Sequence, residues 1–181
     1  MLNNILMVFG LLLASVTMPA YSALNTGNKA PAFVTQASLG GKVFTYSLSD
    51  ALKKGPVVLY FYPAAFTPGC TIEAHEFAEA IEKYRELGAT VIGVSHDDIE
   101  KLNKFSLSEC RSKFPVAADT DQSIMKSYDA ILTAKPEYAS RTSYVITPNG
   151  EILYSYTDMQ PGKHVENTLE ALKKWKAAQH Q

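Results

Sequence analysis

Residues 57–73 read Val-Val-Leu-Tyr-Phe-Tyr-Pro-Ala-Ala-Phe-Thr-Pro-Gly-Cys-Thr-Ile-Glu, and the predicted fold is organised around this stretch. It begins with an apolar run without alternation, which is typical of a strand covered on both faces of a sheet. Pro63 ends the run, and a short loop then delivers Cys70 to the first turn of a predicted helix. Unpaired N–H groups at a helix N-terminus favour negative charge, and therefore the thiolate of Cys70. The stretch predicts a reactive cysteine rather than a packing one.

Strands and helices alternate on both sides of this stretch. Before it, strand-like runs at 32–35 and 43–46 flank a Gly-Gly turn, and a short helix follows at 48–55. After it we expect a helix to about 87, a strand at 90–95, a helix to about 113, a strand at 114–118, a helix at 122–128, a hairpin at 142–156 and a helix at 165–176. The alternation favours parallel strands, and the late hairpin adds antiparallel edges. The predicted fold is α/β, a thioredoxin-like sandwich with an extra N-terminal β-hairpin.

The helix after Cys70 is predicted to pack on this sheet. Apolar residues recur along it at helical spacing and should form its core-facing stripe: Ile72, Phe77, Ile81, Tyr84 and Leu87. In sheets with parallel strands, ligands gather beyond the carboxyl ends of those strands. Cys70 lies just past the carboxyl end of the strand at 57–62, so the topology and the thiol chemistry indicate the same site.

Composition and charge exclude several classes of function. Apolar residues make up 46% and charged residues 19% of the 181-residue chain, as is usual for one folded domain. A net charge of -1 gives no electrostatic reason to expect nucleic acid or an anionic membrane as a partner. The two cysteines form neither a CxxC pair nor a cluster with histidine, so we predict no metal and no cofactor.

The N-terminus has the pattern of a secretory signal peptide. Residues 5–18 carry no charge, and small residues then offer a cleavage site after Ser22. The preceding residues contain no Lys or Arg, so an uncleaved anchor is the alternative, although the run is short for a bilayer span. We expect a signal peptide at 1–22, a single domain at 23–181 and no stable membrane association after cleavage. A bacterial signal would place the mature protein in the periplasm, an oxidising compartment.

The motif Pro63-x-x-x-Thr67-x-x-Cys70 resembles the active-site motif of the peroxiredoxins. The wider run from Phe61 to Ala74 resembles the subgroup named for the bacterioferritin comigratory protein, also called peroxiredoxin Q, and the likeness extends over nearly all of 27–181. The resemblance implies a thiol-dependent peroxidase that reduces hydrogen peroxide and organic hydroperoxides. It also implies a thioredoxin-like protein or a low-molecular-weight thiol as the reductant.

The resemblance assigns a role to each residue of the predicted site. Cys70 matches the peroxidatic cysteine, which attacks the peroxide and becomes a sulfenic acid. Thr67 matches the hydroxyl that positions the peroxide, and Pro63 matches the proline that shields the pocket. Arg141 matches the arginine that stabilises the thiolate and polarises the O–O bond, and Glu73 matches the acidic residue that orients this arginine.

The route by which the sulfenic acid is resolved is open. Many members of the subgroup carry a second cysteine five residues after the first, where this chain has His75. Cys110 is predicted to lie roughly 18 Å along its helix from the end nearer the site. A disulfide needs Cα atoms within about 7 Å, so a bond to Cys70 would require local unfolding. Cys110 resolves Cys70 within the chain, or an external thiol does so, or Cys110 pairs with another subunit.

Two other functions would use the same cysteine. A disulfide oxidoreductase of the thioredoxin type needs a second thiol close to Cys70 along the chain, and the sequence supplies none. A periplasmic redox sensor or holdase would use Cys70 without efficient turnover. We expect a monomer or a weak dimer, because four aromatic residues could form either a dimer contact or part of the core: Phe44, Tyr46, Phe66 and Tyr156.

Overall fold

A seven-stranded mixed sheet lies at the centre of the structure, a computed structural model that describes residues 23–179. Its strands are β1 (Val34–Leu39), β2 (Lys42–Ser47), β3 (Val57–Phe61), β4 (Thr90–Ser95), β5 (Val116–Ala118), β6 (Thr142–Ile146) and β7 (Ile152–Thr157). They are arranged in the order β2-β1-β5-β4-β3-β6-β7. Strands β3, β4 and β5 are parallel, whereas the β1–β2 and β6–β7 hairpins are antiparallel. The predicted α/β fold with an N-terminal hairpin is confirmed.

Helices cover both faces of this sheet. They are α1 (Leu48–Leu52), α2 (Pro68–Glu86), α3 (Ile99–Ser108), α4 (Ser123–Ser127) and α5 (His164–Ala178), with a short 3-10 turn at Pro161–Lys163. Buried side chains of α2, α3 and α5 form one core, and those of α1 and α4 form a second core. Alternate residues of β3 enter opposite cores, since Tyr60 faces α2 while Leu59 faces the other side. This double burial explains the unbroken apolar run that predicted the strand.

Helix α2 departs from the prediction at its first turn. Ile72, expected in the core, is 50% exposed. The buried stripe instead contains Cys70, Ala74 and Phe77 and continues to Tyr84. A helix turns by about 100° per residue, so Ile72 points roughly 200° away from Cys70 and faces solvent. The stripe that anchors α2 therefore includes the predicted reactive cysteine itself.

Helix α3 ends earlier than predicted, at Ser108 rather than near residue 113. The N–H of Cys110 donates to the Phe105 carbonyl, and the N–H of Ser112 donates to the Ser106 carbonyl. Arg111 and Ser112 have positive φ values of 51° and 56°, a conformation that cannot continue a right-handed helix. Cys110 consequently lies in a turn beyond the helix, and not within it.

Two predictions concern the ends of the chain. The predicted signal peptide, residues 1–22, lies outside the described residues, and the single domain at 23–181 stays a prediction. Between residues 23 and 179, none of the helices has the length and apolar character needed to cross a membrane.

Candidate active site

Cys70 lies in the first turn of α2, at the carboxyl end of the parallel strands. Pro68 is the first residue of the helix, and the extended backbone of Thr67 forms the N-cap. Proline suits this position because the missing N–H would be unpaired there in any case. Only 1% of the Cys70 surface is exposed. The β3–α2 loop therefore places a nearly enclosed thiol among the free N–H groups of a 19-residue helix.

Two residues after β4 hold this loop in place. The Asp97 carboxylate accepts hydrogen bonds from the backbone N–H of Ala65 (2.7 Å) and from Lys101 Nζ (2.6 Å). His96 Nδ1 lies 3.2 Å from the Pro63 carbonyl, which can only accept, so Nδ1 carries the proton. Its neighbour Asp98 caps helix α3 by accepting from the Lys101 N–H. Asp97 is thereby free to fix the loop that carries the cysteine.

Three of the predicted site residues are in direct contact. Arg141 lies just before β6, is 3% exposed, and its Nη2–H donates to Cys70 Sγ at 3.6 Å. Its Nη1–H donates to a carboxylate oxygen of Glu73, one helical turn beyond the cysteine. Gly69 permits this approach, because a Cβ at that position would lie 3.0 Å from Arg141 Nη2. One guanidinium thus bridges the thiol and the carboxylate.

The ion pair sets the charge next to the sulfur. Burial raises the pKa of the Glu73 carboxyl, and the Arg141 guanidinium opposes that rise. Burial lowers the pKa of Arg141, but the negative groups Glu73 and Cys70 outweigh it and raise the pKa overall. The guanidinium therefore stays positively charged although it is buried. A fixed cation in a site of low dielectric strongly stabilises a neighbouring thiolate and any negative charge that develops during its reaction.

Thr67 and Pro63 lie in the same loop but do not contact the sulfur by a hydrogen bond. The Thr67 side chain is exposed, and its hydroxyl donates to the Ala64 carbonyl at 2.9 Å. Its oxygen keeps two lone pairs that can accept a hydrogen bond from a bound molecule. Pro63 is half-buried and has no N–H, so its ring adds apolar surface beside the loop.

Cys110 belongs to a different environment. Its side chain is fully buried and, like that of Cys70, is a free thiol. Burial, followed by the nearby Glu109 carboxylate, raises the pKa of the Cys110 thiol well above its usual value. The thiol is therefore protonated and a poor nucleophile while it stays buried.

The turn that carries Cys110 is tied to α2 by a hydrogen bond and an ion pair. Glu109 contacts His75 Nε2 at 2.8 Å, and Arg111 contacts Glu79 at 3.2 Å. His75 occupies the position where a resolving cysteine is often found, and its side chain on α2 is half-buried. It lies five residues beyond Cys70, roughly 7.5 Å along the helix axis. The Cys110 turn consequently packs against α2, the helix whose first turn carries Cys70.

Sequence reasoning missed three residues around this site. His96 and Asp97 bond to the loop that carries Pro63 and Thr67. His164 bonds to Ser143, two residues after Arg141. None of the three belongs to a motif, and a single sequence gives no signal for contacts of this kind.

Among residues 23–179, there is no group of three His, Cys, Asp or Glu side chains that could hold a metal ion.

Comparison with known proteins identifies the family. The sequence of residues 26–155 matches the AhpC/TSA family. The chain is a peroxiredoxin of this family. The peroxiredoxin is 35% identical over 160 residues to the chloroplastic peroxiredoxin Q of Populus jackii, an alignment that covers 88% of this chain and 73% of the relative. It is 34% identical to the chloroplastic peroxiredoxin Q of Arabidopsis thaliana, with 84% and 69% of the two chains covered.

Solved structures agree with this assignment. Peroxidoxin BcpB from Mycobacterium tuberculosis superimposes with a TM-score of 0.75 at 30% identity, covering 82% of this chain and 96% of that one. PrxQ from Xylella fastidiosa superimposes with a TM-score of 0.75 at 27% identity, covering 85% and 98%. The peroxiredoxin is of the bacterioferritin comigratory protein or peroxiredoxin Q type and has the thioredoxin-like fold. It is a thiol-dependent peroxidase, an oxidoreductase of the thioredoxin-dependent kind.

The predicted periplasmic location is wrong. The peroxiredoxin Q relatives from Populus jackii and Arabidopsis thaliana are chloroplastic, and a plant organelle is not a bacterial periplasm. The prediction depended on the apolar run at residues 5–18. Apolar character can indicate a targeting segment, but it does not identify the organism and hence the compartment to which the segment would lead.

Proposed function

We propose that this peroxiredoxin reduces hydrogen peroxide and organic hydroperoxides at Cys70. The contact of the buried Arg141 guanidinium with Cys70 Sγ, at 3.6 Å, is the observation that carries the proposal. The thiolate attacks the terminal oxygen of the peroxide, the O–O bond breaks, and an S–O bond forms. The leaving oxygen departs with the electron pair of the broken bond and takes up a proton as water or an alcohol. The sulfur is oxidised to a sulfenic acid, the first and reversible step of cysteine oxidation.

The surrounding residues support this step in different ways. Arg141 lies where negative charge moves from sulfur to the leaving oxygen, and a pre-positioned cation lowers such a barrier. Glu73 holds the guanidinium in place through the buried ion pair. Thr67 is proposed to accept a hydrogen bond from the peroxide, because its own proton is already given to Ala64. Pro63 is proposed to shield the pocket without adding a donor.

For the second half of the cycle, we propose that Cys110 resolves Cys70 within the chain. The Cys110 sulfur would attack the sulfenic sulfur, so that a disulfide forms and water leaves. Burial holds the Cys110 thiol protonated, so the turn at 109–112 must open before this attack. Opening requires only that the turn beyond α3 leaves α2, because the helix has already ended at Ser108. A thioredoxin-like protein then reduces the disulfide; direct reduction of Cys70 by an external thiol is the alternative.

Peptide mapping separates the possible resolving routes. Reduced protein is treated with equimolar hydrogen peroxide, digested without reduction and analysed by mass spectrometry. We expect a linked peptide containing Cys70 and Cys110, and its loss in Cys110→Ser, in which a sulfenic acid at Cys70 should persist. A wild-type sulfenic acid that persists would contradict internal resolution and favour an external thiol. A covalent dimer on a non-reducing gel would favour pairing between subunits.

Removing the two polar contacts between the Cys110 turn and α2 should speed disulfide formation. We expect the double variant Glu79→Ala/Glu109→Ala to form the disulfide about 3- to 10-fold faster, because polar side-chain contacts near the surface contribute roughly 0.2–1 kcal/mol each. Asp50→Asn is the matched control, since it removes an exposed ion pair on α1 that does not involve the turn. The rate is measured by quenching oxidised samples with acid and separating them without reduction. An unchanged rate in the double variant would show that these contacts do not restrain Cys110.

We propose that the protein is a monomer or a weak dimer in solution. The four aromatic residues considered for a dimer contact fall into different environments. Tyr46 belongs to the core and Tyr156 is partly covered, whereas Phe44 and Phe66 are exposed at 39% and 45%. The Phe66 ring packs edge-on against Phe105 of α3, which accounts for part of its surface. Two partly exposed rings offer a small apolar area, which suits a weak contact better than a permanent one.

A further inference from the structure

The segment between β7 and α5 holds both the backbone and the side chain of Arg141. The N–H of Asp158 donates to the Arg141 carbonyl at 3.2 Å, and Arg141 Nε–H donates to the Met159 carbonyl at 3.0 Å. The segment therefore binds the one guanidinium nitrogen that contacts neither Cys70 nor Glu73. Met159 is 45% exposed, so its own packing does little to fix this carbonyl. Within the segment, the Gln160 N–H donates to the Asp158 carboxylate at 2.8 Å, and this contact does not tie the segment to the core.

His164, the first residue of α5, ties the segment to the core. Its side chain is fully buried, and its Nε2 lies 2.9 Å from the Asp158 carbonyl. A carbonyl only accepts, so Nε2 carries the proton and Nδ1 is left as an acceptor. The Ser143 hydroxyl lies 2.8 Å from Nδ1 and donates to it. The edge of the imidazole also packs against the Tyr156 ring, with 4.9 Å between ring centroids.

Burial keeps the imidazole neutral, and its two hydrogen-bond partners fix which nitrogen carries the proton. Glu73 Oε1 lies 3.8 Å from Nδ1, the Arg141 guanidinium lies on the same side, and the Asp158 carbonyl faces Nε2. A protonated imidazole would compete with Arg141 for Glu73 and would repel the guanidinium. Burial lowers the pKa of His164 to about 4; the charge of Arg141 adds to this effect, whereas the hydrogen bond to the Asp158 carbonyl and the Asp158 carboxylate oppose it. The neutral ring can therefore hold the Asp158 carbonyl without disturbing the ion pair.

We propose that His164 is a positioning residue for peroxide reduction. Its Nε2–H fixes the segment at 158–160, and this segment holds the Arg141 guanidinium against Cys70 Sγ. The inference rests on the proposed function, because Cys70 and Arg141 must first be the reacting pair. It adds a residue that touches neither the peroxide nor the sulfur and acts only through the orientation of Arg141.

Two substitutions of His164 test the hydrogen bonds of its two ring nitrogens separately. Glutamine can place an amide N–H near the position of Nε2, whereas asparagine is too short to reach Asp158 and retains only an acceptor near Nδ1. Both are made in Cys110→Ser protein, so that Cys70 is the one thiol observed. Two quantities are measured: the second-order rate of Cys70 oxidation by hydrogen peroxide, and the midpoint of the Cys70 thiolate titration from its ultraviolet absorbance. Leu172→Val, at a buried position of the same helix, controls for lost stability.

We expect His164→Asn to react about 10- to 100-fold more slowly and to titrate at higher pH, since a misplaced catalytic group costs factors of this size. We expect His164→Gln to stay within about threefold of the parent. Leu172→Val should lower the melting temperature and leave both quantities unchanged. Equal losses in the Asn and Gln variants would overturn the proposal, as would a His164→Asn variant whose melting temperature falls without a change in rate or titration.

The parent protein distinguishes a failure of the proposed function from a failure of the positioning role. If the parent protein itself does not react with peroxide at Cys70, the proposed function fails; if the parent reacts and the variants do not differ, the positioning role alone fails. Should His164→Asn not fold, nitrogen NMR of the imidazole in the parent replaces it. A neutral ring with the proton on Nε2 supports the proposal. A proton on Nδ1 would contradict it, because such a ring cannot donate to the Asp158 carbonyl.

Discussion

Replacing Cys70 by serine is expected to abolish peroxide turnover, leaving only the uncatalysed reaction of the reductant. The proposed nucleophile is the Cys70 thiolate, and a serine hydroxyl at the same position neither ionises at neutral pH nor forms a stable product with the peroxide oxygen. The enzyme is assayed with a thioredoxin-type dithiol as the reductant, and peroxide loss is followed directly. Because Cys70 is buried, the melting temperature of Cys70→Ser must be measured alongside to show that the fold is kept.

The other cysteine supplies the control for this experiment. Cys110→Ser should still consume peroxide once per chain, because it lacks only the proposed resolving thiol. With a low-molecular-weight thiol in excess, it should turn over repeatedly through direct reduction of Cys70. Turnover that survives in Cys70→Ser but is lost in Cys110→Ser would exchange the two proposed roles and contradict the site described above.

Replacing Arg141 by methionine should lower the rate of Cys70 oxidation by about 10²- to 10³-fold, the usual loss when one pre-positioned group that stabilises developing charge is removed. The side chain is nearly as long, so the change removes the cation and its hydrogen bonds rather than the volume. The rate is measured in a single turnover with hydrogen peroxide. Arg85→Met is the matched control, because Arg85 forms an exposed ion pair at the other end of α2.

Arg141→Met also removes the partner of a buried carboxylate, so stability must be separated from catalysis. Leaving Glu73 unpaired in the core is expected to cost on the order of 3–5 kcal/mol of unfolding free energy. The double variant Arg141→Met/Glu73→Gln carries no buried charge at this position and should regain most of that stability. It should not regain the rate. A double variant that recovers both would show that Arg141 supports the fold and not the reaction.

The local arrangement of the site could be predicted from sequence because its residues lie in one continuous stretch of the chain. The apolar run of β3, the proline at the start of α2 and the position of Cys70 are neighbours along the chain. Arg141 is 71 residues away from Cys70, and its assignment came from the resemblance to a family. Spacing alone would have described it as a surface charge, because nothing in the local sequence indicates that β6 lies beside β3.

The errors of prediction have physical causes of two kinds. Ile72 was placed in the core because it fits the apolar spacing of α2, yet Cys70 occupies that face and turns Ile72 outward. The early end of α3 depends on two non-glycine residues with positive φ, and such residues carry no sequence signal. Asp97 and His164 were missed for another reason. Each acts through a hydrogen bond to a distant backbone segment, so only the folded chain reveals what it does.

The most direct test of the proposed chemistry is to locate the sulfenic acid and measure how fast it forms. Reduced Cys110→Ser protein is mixed with equimolar hydrogen peroxide in the presence of dimedone, and the adduct is mapped by mass spectrometry. We expect one adduct per chain, on Cys70, formed at least about 10³-fold faster than on free cysteine. An adduct on another residue, or a rate no greater than that of a free thiol, would contradict the peroxidatic role of Cys70. A slow rate would instead favour redox sensing.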